Sequence, residues 1–438
     1  MKYTQSNKLR RYSHALIPGG AHTYSKGDDQ FPERSPGFIV RGKGAYVWDP
    51  DGNKFLDWYM GLRSTTLGYG YAPVIAAVKK QLSQGANFTR PSPLEVELAQ
   101  LLTDIIPCAE MVKFAKNGST VTTAAVKLAR AYTKRDLVAV CSDHSFFSYD
   151  DWFIGTTSAD AGIPQAVKDL TVTFKFNDIA SVQALFKKHP NQIACVILEP
   201  ATEIEPRDNF LHRVQALCKK HGAVFILDEM ISGFRWHLRG AQHVYKITPD
   251  LATYGKGIAN GFSLSVLAGK RAIMEQGSIT GGKERVFLIS TTHGAENHAL
   301  AAAIASVKEM RNKKVIPHLH RIGALLKKRL STITKKHNLN SVINVFGEVP
   351  CRLAVSFAAS GQYTSPQVKT YFLQEIINQG ILFNGSFTPS YAHGRREVER
   401  TAQAWDYACQ KLKTALADKD LEKKLVGEPV KPVFRKYN

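Results

Sequence analysis

The chain has 438 residues, of which 44% are hydrophobic and 22% are charged, a composition that excludes disorder over its whole length. Lys and Arg number 58 against 37 Asp and Glu, giving a formal charge of +21. The basic residues are spread in pairs such as Lys79-Lys80 and Lys313-Lys314, with no block that interleaves them with aromatic residues. This pattern favours a solvated surface over a nucleic-acid-binding stripe, and it leaves open an anionic substrate.

The chain shows no targeting or metal-binding pattern. No apolar run reaches the roughly 20 residues that a membrane span requires. The segment 1–20 is polar and basic and lacks the apolar core of a signal peptide. The six cysteines are scattered without a CxxC pair. We therefore predict a cytoplasmic protein with reduced thiols, no membrane contact and no metal site.

The predicted elements change character along the chain. Residues 1–60 are rich in Gly and Pro, and 44–58 predict a strand, a Pro-Asp-Gly turn and a second strand. From residue 94 to 310, apolar strands alternate with amphipathic helices. The predicted strands here are 111–115, 138–141, 193–198, 223–227 and 264–268, and the predicted helices are 94–106, 121–133, 210–221 and 298–310. This alternation predicts an α/β fold with a mostly parallel sheet covered by helices on both faces.

The remainder of the chain is predicted to be α+β. Residues 352–357 and 381–383 have the pattern of strands, and 366–378 and 397–415 that of helices. We accordingly expect three segments: an N-terminal segment that packs with the small domain, a large domain, and a small C-terminal α+β domain. Their expected bounds are 1–60, 61–312 and 313–438.

Polar residues stand where several of the predicted strands end, which is where open α/β sheets bind ligands. They are Asn117-Gly118-Ser119-Thr120, His144, Glu199, Asp228 and Lys256. Asp228 follows the apolar run AVFIL, so its carboxylate is predicted to be desolvated and to need a cationic partner such as a protonated pyridine nitrogen. Taken alone, a helix cap or a structural ion pair explains such an acid equally well.

Two glycine-containing segments add to this pattern. Lys256 lies between Gly255 and Gly257, where a lysine amine can approach a cofactor aldehyde and form a Schiff base, although an isolated Gly-Lys-Gly is more often a surface loop. Gly118 and Ser119 lie between a strand and a helix, so their backbone N–H groups and hydroxyl can hold a phosphate, although this is also an ordinary capped turn. The order of these features along the chain favours cofactor chemistry.

The sequence resembles the class III (fold type I) pyridoxal-5′-phosphate (PLP) aminotransferases, in the branch of glutamate-1-semialdehyde 2,1-aminomutase. The resemblance covers nearly the whole chain, and its most specific parts are DE-x-x-x-GFR (228–235) and PDL-x-x-x-GK (249–256). It is also carried by IPGGAHTYSKG (17–27), GAYVWDPDGNKFLDW (44–58), KNGSTVTTAAVKLARAYTKR (116–135), ACVILEP (194–200) and STTHGAENHALAAA (290–303).

The resemblance implies a role for each matching residue. Lys256 would form the Schiff base, and Asp228 would pair with the pyridine nitrogen. Gly118 and Ser119 would bind the cofactor phosphate, and Glu199 would lie beneath the cofactor. Thr292 would bind the phosphate of the neighbouring subunit's PLP, which implies a homodimer with shared active sites. His144 belongs to the same set of cofactor-binding residues.

This chain departs from the family pattern at several positions. Lys26 stands where the aminomutase has an arginine for the substrate carboxylate, and a lysine cannot form the same bidentate contact. Asp143 stands where the family has a tyrosine that stacks on the cofactor ring, so Phe146 or Phe147 would take over stacking. Arg63 and Arg90 follow segments that line the substrate side in related enzymes, and either would hold an anionic group if it is not simply a surface residue.

Three functions stay open from the sequence. The preferred one is a PLP-dependent aminotransferase that moves an amino group between an amino donor and a carbonyl acceptor. The second is an intramolecular aminomutase of the glutamate-1-semialdehyde type. The third is a non-catalytic or nucleic-acid-binding protein that keeps the fold and uses its positive charge.

Overall fold

The computed structural model describes residues 1–280 and 284–436. The chain forms two compact units: the first comprises Met1–Tyr71 and Pro317–Val433, and the second comprises Ala72–Ile316 and the chain from Phe434 onward. The boundaries predicted from the sequence lie between residues 60 and 61 and between residues 312 and 313. That prediction places the C-terminus in the small domain. In the structure Phe434 instead packs against a hydrophobic cluster of the second unit.

The N-terminal part of the first unit is a helix followed by a small antiparallel ribbon. Its elements are helix α1 (Thr4–Leu16), strands β1 (Arg41–Lys43), β2 (Tyr46–Trp48) and β3 (Lys54–Asp57), and the short helix α2 (Met60–Arg63). The predicted turn joins β2 to β3, where Gly52 adopts a φ of 83° that favours glycine. Strand β13 (Ile381–Leu382), from later in the chain, pairs with β3 and completes a four-stranded sheet of order β1-β2-β3-β13.

The second unit is built on a seven-stranded sheet of order β4-β10-β9-β8-β7-β5-β6, which confirms the predicted α/β class. Its strands are β4 (Met111–Ala115), β5 (Leu137–Cys141), β6 (Thr171–Phe174), β7 (Ile193–Leu198), β8 (Val224–Asp228), β9 (Leu251–Tyr254) and β10 (Ser265–Gly269). Strands β6, β5, β7, β8 and β9 run parallel, and β10 is antiparallel to both of its neighbours.

Helices cover both faces of this sheet. They are α3 (Ala72–Leu82), α4 (Pro93–Ile105), α5 (Gly118–Thr133), α6 (Asp151–Ile154), α7 (Gln165–Lys168), α8 (Ile179–Lys188), α9 (Phe210–His221), α10 (Ala241–Val244), α11 (Arg271–Met274) and α12 (Asn297–Asn312). Strand β8 shows why both faces are covered: Val224 and Ile226 join the cluster that includes α5, whereas Phe225 and Leu227 join the cluster that includes α9. A strand buried on both faces needs this continuous apolar sequence.

The C-terminal part of the first unit adds helices and a second small sheet. Helix α13 (Val315–Lys336) enters this unit, and the later elements are β11 (Ile343–Phe346), β12 (Leu353–Phe357), α14 (Ser365–Asn378), β13 (Ile381–Leu382), β14 (Ser386–Phe387), α15 (Arg395–Ala417) and α16 (Leu421–Lys424). The order of the second sheet is β11-β12-β14. The core of the unit contains a group of aromatic side chains in mutual contact, including Trp58, Phe372, Phe383, Phe387 and Trp405.

Two further features bear on function. None of the helices in the described part of the chain combines the length and apolar character needed to cross a membrane. Among residues 1–280 and 284–436, no group of three or more His, Cys, Asp or Glu is placed to hold a metal ion. All six cysteines are buried and free.

Candidate active site

Three charged residues meet at the carboxyl edge of the seven-stranded sheet. Glu199 directly follows β7, Asp228 ends β8, and Lys256 lies two residues beyond β9. The three strands are parallel neighbours, with Leu198 opposite Leu227 and Asp228 opposite Thr253. Parallel pairing therefore brings together side chains that are separated by dozens of residues in sequence.

Asp228 is held in an environment that favours its neutral form. Its side chain is 3% exposed, and its pKa is raised to about 7, chiefly by burial. The charge of Glu199 acts in the same direction as burial, and the charge of Lys256 opposes both. Oδ1 accepts hydrogen bonds from the Met230 backbone N–H at 2.9 Å and from the Thr253 hydroxyl at 3.0 Å. Both of these hydrogen bonds end on Oδ1 of Asp228.

Lys256 is positioned by an unusual backbone. Its φ of 38° lies in the left-handed region, which disfavours residues with a Cβ. At the preceding Gly255, a Cβ would lie 2.3 Å from the Met230 sulfur, so a larger residue would displace the Met230 side chain. The side chain of Lys256 is half-buried. The close packing against Met230 therefore fixes the loop that carries the lysine.

A helix N-terminus lies beside these residues. Helix α5 begins at Gly118, and the Asn117 side chain caps it by accepting a hydrogen bond from the Thr120 N–H at 3.0 Å. The backbone N–H groups of Gly118 and Ser119 come before the capped N–H of Thr120 at the start of the helix. These two N–H groups are the ones that can donate hydrogen bonds to an anion. A Cβ on Gly118 would lie 3.0 Å from the Met230 methyl carbon, so the same methionine packs against both glycine positions.

His144 links the ends of two strands. The Glu199 backbone N–H donates to His144 Nδ1 at 3.0 Å, so this nitrogen carries no proton and the ring is the neutral Nε2–H tautomer. The ring is buried and packs against Phe176 at a centroid distance of 4.8 Å. His144 thus ties the segment after β5 to Glu199.

The loop after His144 contains the two candidates for ring stacking. Phe147 is 2% exposed and belongs to the hydrophobic core, whereas Phe146 is 46% exposed. The Phe146 ring lies 5.8 Å from Phe153 and 6.5 Å from Phe434. Asp143 accepts a hydrogen bond from the Phe176 N–H at 2.7 Å and pairs with Lys175. Of the two phenylalanines, Phe146 therefore presents the more accessible ring.

Thr292 and Arg90 also belong to the second unit. Thr292 is exposed, and its carbonyl accepts a hydrogen bond from the Asn87 side chain at 3.0 Å. The same loop is anchored by an ion pair between Lys116, which precedes the capped turn of α5, and Glu296. Arg90 is exposed in the segment before α4.

Lys26 and Arg63 belong to the first unit. Lys26 ends a short 3-10 turn, and desolvation lowers the pKa of its ammonium from the ordinary value. The Arg63 guanidinium donates through Nη2 to the Ser386 hydroxyl at 3.2 Å.

The comparisons with known proteins identify the family. Residues 29–388 match the family model for aminotransferase class III. The chain belongs to this family. Two of its relatives are the glutamate-1-semialdehyde 2,1-aminomutases of Alkaliphilus metalliredigens and Alkaliphilus oremlandii, which are 30% and 31% identical to it. These alignments cover 92% and 93% of this chain and 96% and 99% of the relatives.

Solved structures confirm the fold of this class-III aminotransferase. The Sphingopyxis FumI protein, described in its PLP internal aldimine form, superimposes with a TM-score of 0.86 at 25% identity over 94% of this chain and 98% of its own. An omega-transaminase from Sphaerobacter thermophilus gives a TM-score of 0.84 at 25% identity, covering 93% of this chain and 98% of its own. The chain therefore has the fold type I architecture that the sequence predicted.

Two contributors to the site were not predicted from the sequence. Met230 packs against both glycine positions, and the Thr253 hydroxyl bonds to Asp228. The polar Thr253 inside the apolar strand LATY was the one available signal, since a buried hydroxyl needs a partner. Nothing in the sequence around Met230 indicates its packing.

Proposed function

We propose that this class-III aminotransferase binds PLP at the carboxyl edge of its seven-stranded sheet and transfers an amino group from an amino donor to a carbonyl acceptor. The observation that carries the proposal is the convergence of Asp228 and Lys256 at the ends of neighbouring parallel strands. The N-terminus of α5 lies in the same unit and supplies the third element that a phosphorylated cofactor requires.

The residues present fit this cofactor. The Asp228 side chain suits the protonated nitrogen of a pyridine ring, because a cation offsets the cost of ionising a buried carboxyl. At Gly118 the absence of a side chain keeps the start of α5 open to a phosphate, and the Ser119 side chain lies at the same helix end. His144 and Glu199 form the polar floor, and the exposed ring of Phe146 is the proposed stacking group.

Each residue has a defined task in the transfer. The cofactor supplies an aldehyde and an electron-withdrawing ring. Lys256 would hold that aldehyde through Nζ, and once an incoming amine has replaced it, the free Nζ would take the proton from the substrate carbon. Nζ of Lys256 would also deliver this proton again, and a water molecule would be consumed as the carbonyl product is released; the reverse sequence with the carbonyl acceptor would complete the transfer. Asp228 keeps the ring nitrogen protonated throughout.

We further propose that the substrate is anionic and that the enzyme is a cytoplasmic homodimer. Lys26, Arg63 and Arg90 are the proposed contacts for the anionic group, supported by the formal charge of +21. Thr292 is proposed to contact the cofactor phosphate of the partner subunit, because its loop is exposed yet anchored by Asn87 and Lys116.

The location of the covalent link tests this function. Reduction of the PLP-loaded protein with borohydride, followed by peptide mass spectrometry, is expected to place a pyridoxyl group on Lys256. The Lys256→Ala variant is expected to carry no such group, and Lys270→Ala, which alters an exposed lysine at the opposite end of β9, is expected to keep it. A modified residue other than Lys256, or no modification, would overturn the proposal.

An intramolecular aminomutase remains the second candidate, because the two relatives named above are aminomutases. Release of one keto acid for each amino donor consumed supports transfer between two substrates. Isomerisation of a single amino aldehyde without keto acid release supports the aminomutase. A protein that shows no visible absorbance band after PLP addition would instead support the non-catalytic or nucleic-acid-binding alternative.

A further inference from the structure

Residues 60–63 form a left-handed turn in the first unit. The φ angles are 46° at Met60, 58° at Gly61, 59° at Leu62 and 70° at Arg63. Residues with a Cβ usually enter this region singly, because the Cβ then crowds the following carbonyl oxygen. Three such residues within four positions are a strained arrangement, and strain of this kind concentrates at binding sites.

The turn is firmly anchored. The buried Asp57 carboxylate accepts hydrogen bonds from the N–H groups of Tyr59 at 2.7 Å and Met60 at 3.1 Å, and from the Tyr69 hydroxyl at 2.6 Å. The Arg63 N–H donates to the Tyr59 carbonyl at 2.8 Å. These contacts hold the unfavourable backbone in a single conformation, so the direction of the Arg63 side chain is fixed by the fold.

The guanidinium of Arg63 reaches strand β14. Its Nη2 donates to the Ser386 hydroxyl at 3.2 Å, and its central carbon lies 5.8 Å from the centre of the Tyr59 ring. Arg63 remains partly exposed. A guanidinium carries five N–H donors in a planar fork that matches the geometry of a carboxylate or phosphate.

A second observation points to a ligand at the same strand. Thr388 lies two residues beyond Ser386 in an extended segment, so the two hydroxyls are expected on the same side of the chain. Thr388 is 1% exposed, and within residues 1–280 and 284–436 its hydroxyl has no hydrogen-bond partner. A buried hydroxyl of this kind signals a bound group that completes its hydrogen bonding.

We infer that Arg63, Ser386 and Thr388 form an oxyanion-binding site for a carboxylate or phosphate group. The left-handed turn aims the guanidinium, and the two hydroxyls supply neutral donors beside it. The oxyanion comes either from the substrate itself or from a separate small anion. The site is built from the first unit alone, so its existence does not depend on the proposed catalytic residues.

Thermal unfolding in the presence of glutarate or inorganic phosphate tests the site on the full chain with PLP in the buffer. The melting temperature of the unaltered protein is expected to rise with the concentration of either probe, and Arg63→Met is expected to abolish most of that rise. Thr388→Val is expected to reduce it. The control Arg41→Met removes a guanidinium that stacks on Trp48 in the same unit and is expected to keep the full response.

Two results would overturn the inference: an equal rise in the unaltered and Arg63→Met proteins, or no rise in the unaltered protein with either probe. If Arg63→Met does not fold, Arg63→Lys replaces it. This variant keeps the charge and loses the planar fork, so the apparent affinity for the probes is expected to fall by about 10-fold.

The source of the oxyanion is identified by measuring kcat/KM with pairs of amines in which only one member carries an anionic group. These pairs are 4-aminobutyrate with butylamine, and 2-aminoethyl phosphate with ethylamine. If the substrate carries the bound group, Arg63→Met lowers kcat/KM by about 10- to 100-fold more for the amine with the anionic group than for the amine without it. If a separate anion binds, the substitution affects both members of a pair equally while the melting response is still lost. A protein without aminotransferase activity would refute the proposed function and leave the melting response as the test of the site.

Discussion

The protonation state of Asp228 depends on whether a cation from outside the chain lies beside its carboxyl. Its folded-state pKa of about 7 lies above the ordinary value of about 4 for an aspartic acid. Between these values the folded protein binds a proton that the unfolded chain has lost, so stability falls as pH rises through this window. A cation beside the carboxyl removes this loss, because it stabilises the ionised carboxylate.

This dependence yields a prediction for Asp228→Asn. The free energy of unfolding is measured in urea from about pH 4 to about pH 7. As the pH rises, this free energy is expected to fall for the cofactor-free unaltered protein relative to Asp228→Asn, because the amide of the variant does not titrate. Adding PLP is expected to cancel the difference. The substitution is also expected to lower kcat/KM by about 10²- to 10⁴-fold. Parallel pH profiles for the two cofactor-free proteins would contradict the assignment.

At the residue level, the sequence indicated where Asp228 and Lys256 lie along the chain but not which residues contact them. Asp228 and Lys256 stand where apolar strands end, and this position follows from one segment of sequence at a time. Met230 and Thr253 support them through contacts made only when separate strands come together. A contact of that kind depends on the packing of the whole sheet, so no local pattern reveals it.

At the level of elements, an ion pair connects the start of α5 to the loop before α12. Lys116 precedes the capped turn at Asn117, and its partner Glu296 precedes helix α12 in the loop that carries Thr292. The Lys116 carbonyl also accepts a hydrogen bond from the Ser263 hydroxyl at 2.7 Å. The proposed phosphate-binding turn and the proposed subunit-bridging loop are therefore held together within one chain.

Removing this ion pair is expected to loosen both segments. Glu296→Gln is expected to weaken PLP binding by about 2- to 5-fold, the range that a partly exposed ion pair provides, as measured by fluorescence titration. The matched control is Lys308→Met, which breaks the ion pair of Lys308 with Glu97 that also involves α12. Equal PLP affinity in the Glu296→Gln and Lys308→Met proteins would show that the link does not position the cofactor site.

Helix α13 and strand β6 are among the elements that were not predicted, and each has its own physical cause. Helix α13 contains Pro317 and Gly323, which suggest a break in the sequence. Pro317 instead occupies the first turn of the helix, where no N–H partner is lost. At Gly323 a Cβ would lie 1.8 Å from the Pro350 carbonyl oxygen, so this glycine permits close packing and does not end the helix. Strand β6 is short and only partly buried, which leaves its apolar pattern too weak to predict.

At the scale of the whole molecule, the sequence established the class of fold and less about the limits of its parts. Alternating strands and helices predicted the parallel sheet, because a strand covered on both faces must be apolar throughout. The path of the C-terminus could not be predicted in the same way. Phe434 packs against the cluster of the second unit after more than a hundred residues in the first, and this return depends on tertiary packing alone.

The proposed homodimer is tested with a dimer that combines two different variant subunits. If Thr292 completes the site of the partner subunit, both substitutions fall in the same one of the two sites when a Lys256→Ala subunit pairs with a Thr292→Ala subunit. That site then has neither residue, and the other combines Lys256 with an intact Thr292 from the partner. Each variant alone is expected to be impaired at limiting PLP. Co-expression of the two variants is expected to restore about a quarter of the unaltered activity, because about half of randomly formed dimers are mixed. If Thr292 instead serves its own subunit, no site in the mixed dimer is complete, and co-expression restores nothing beyond the sum of the separate variants.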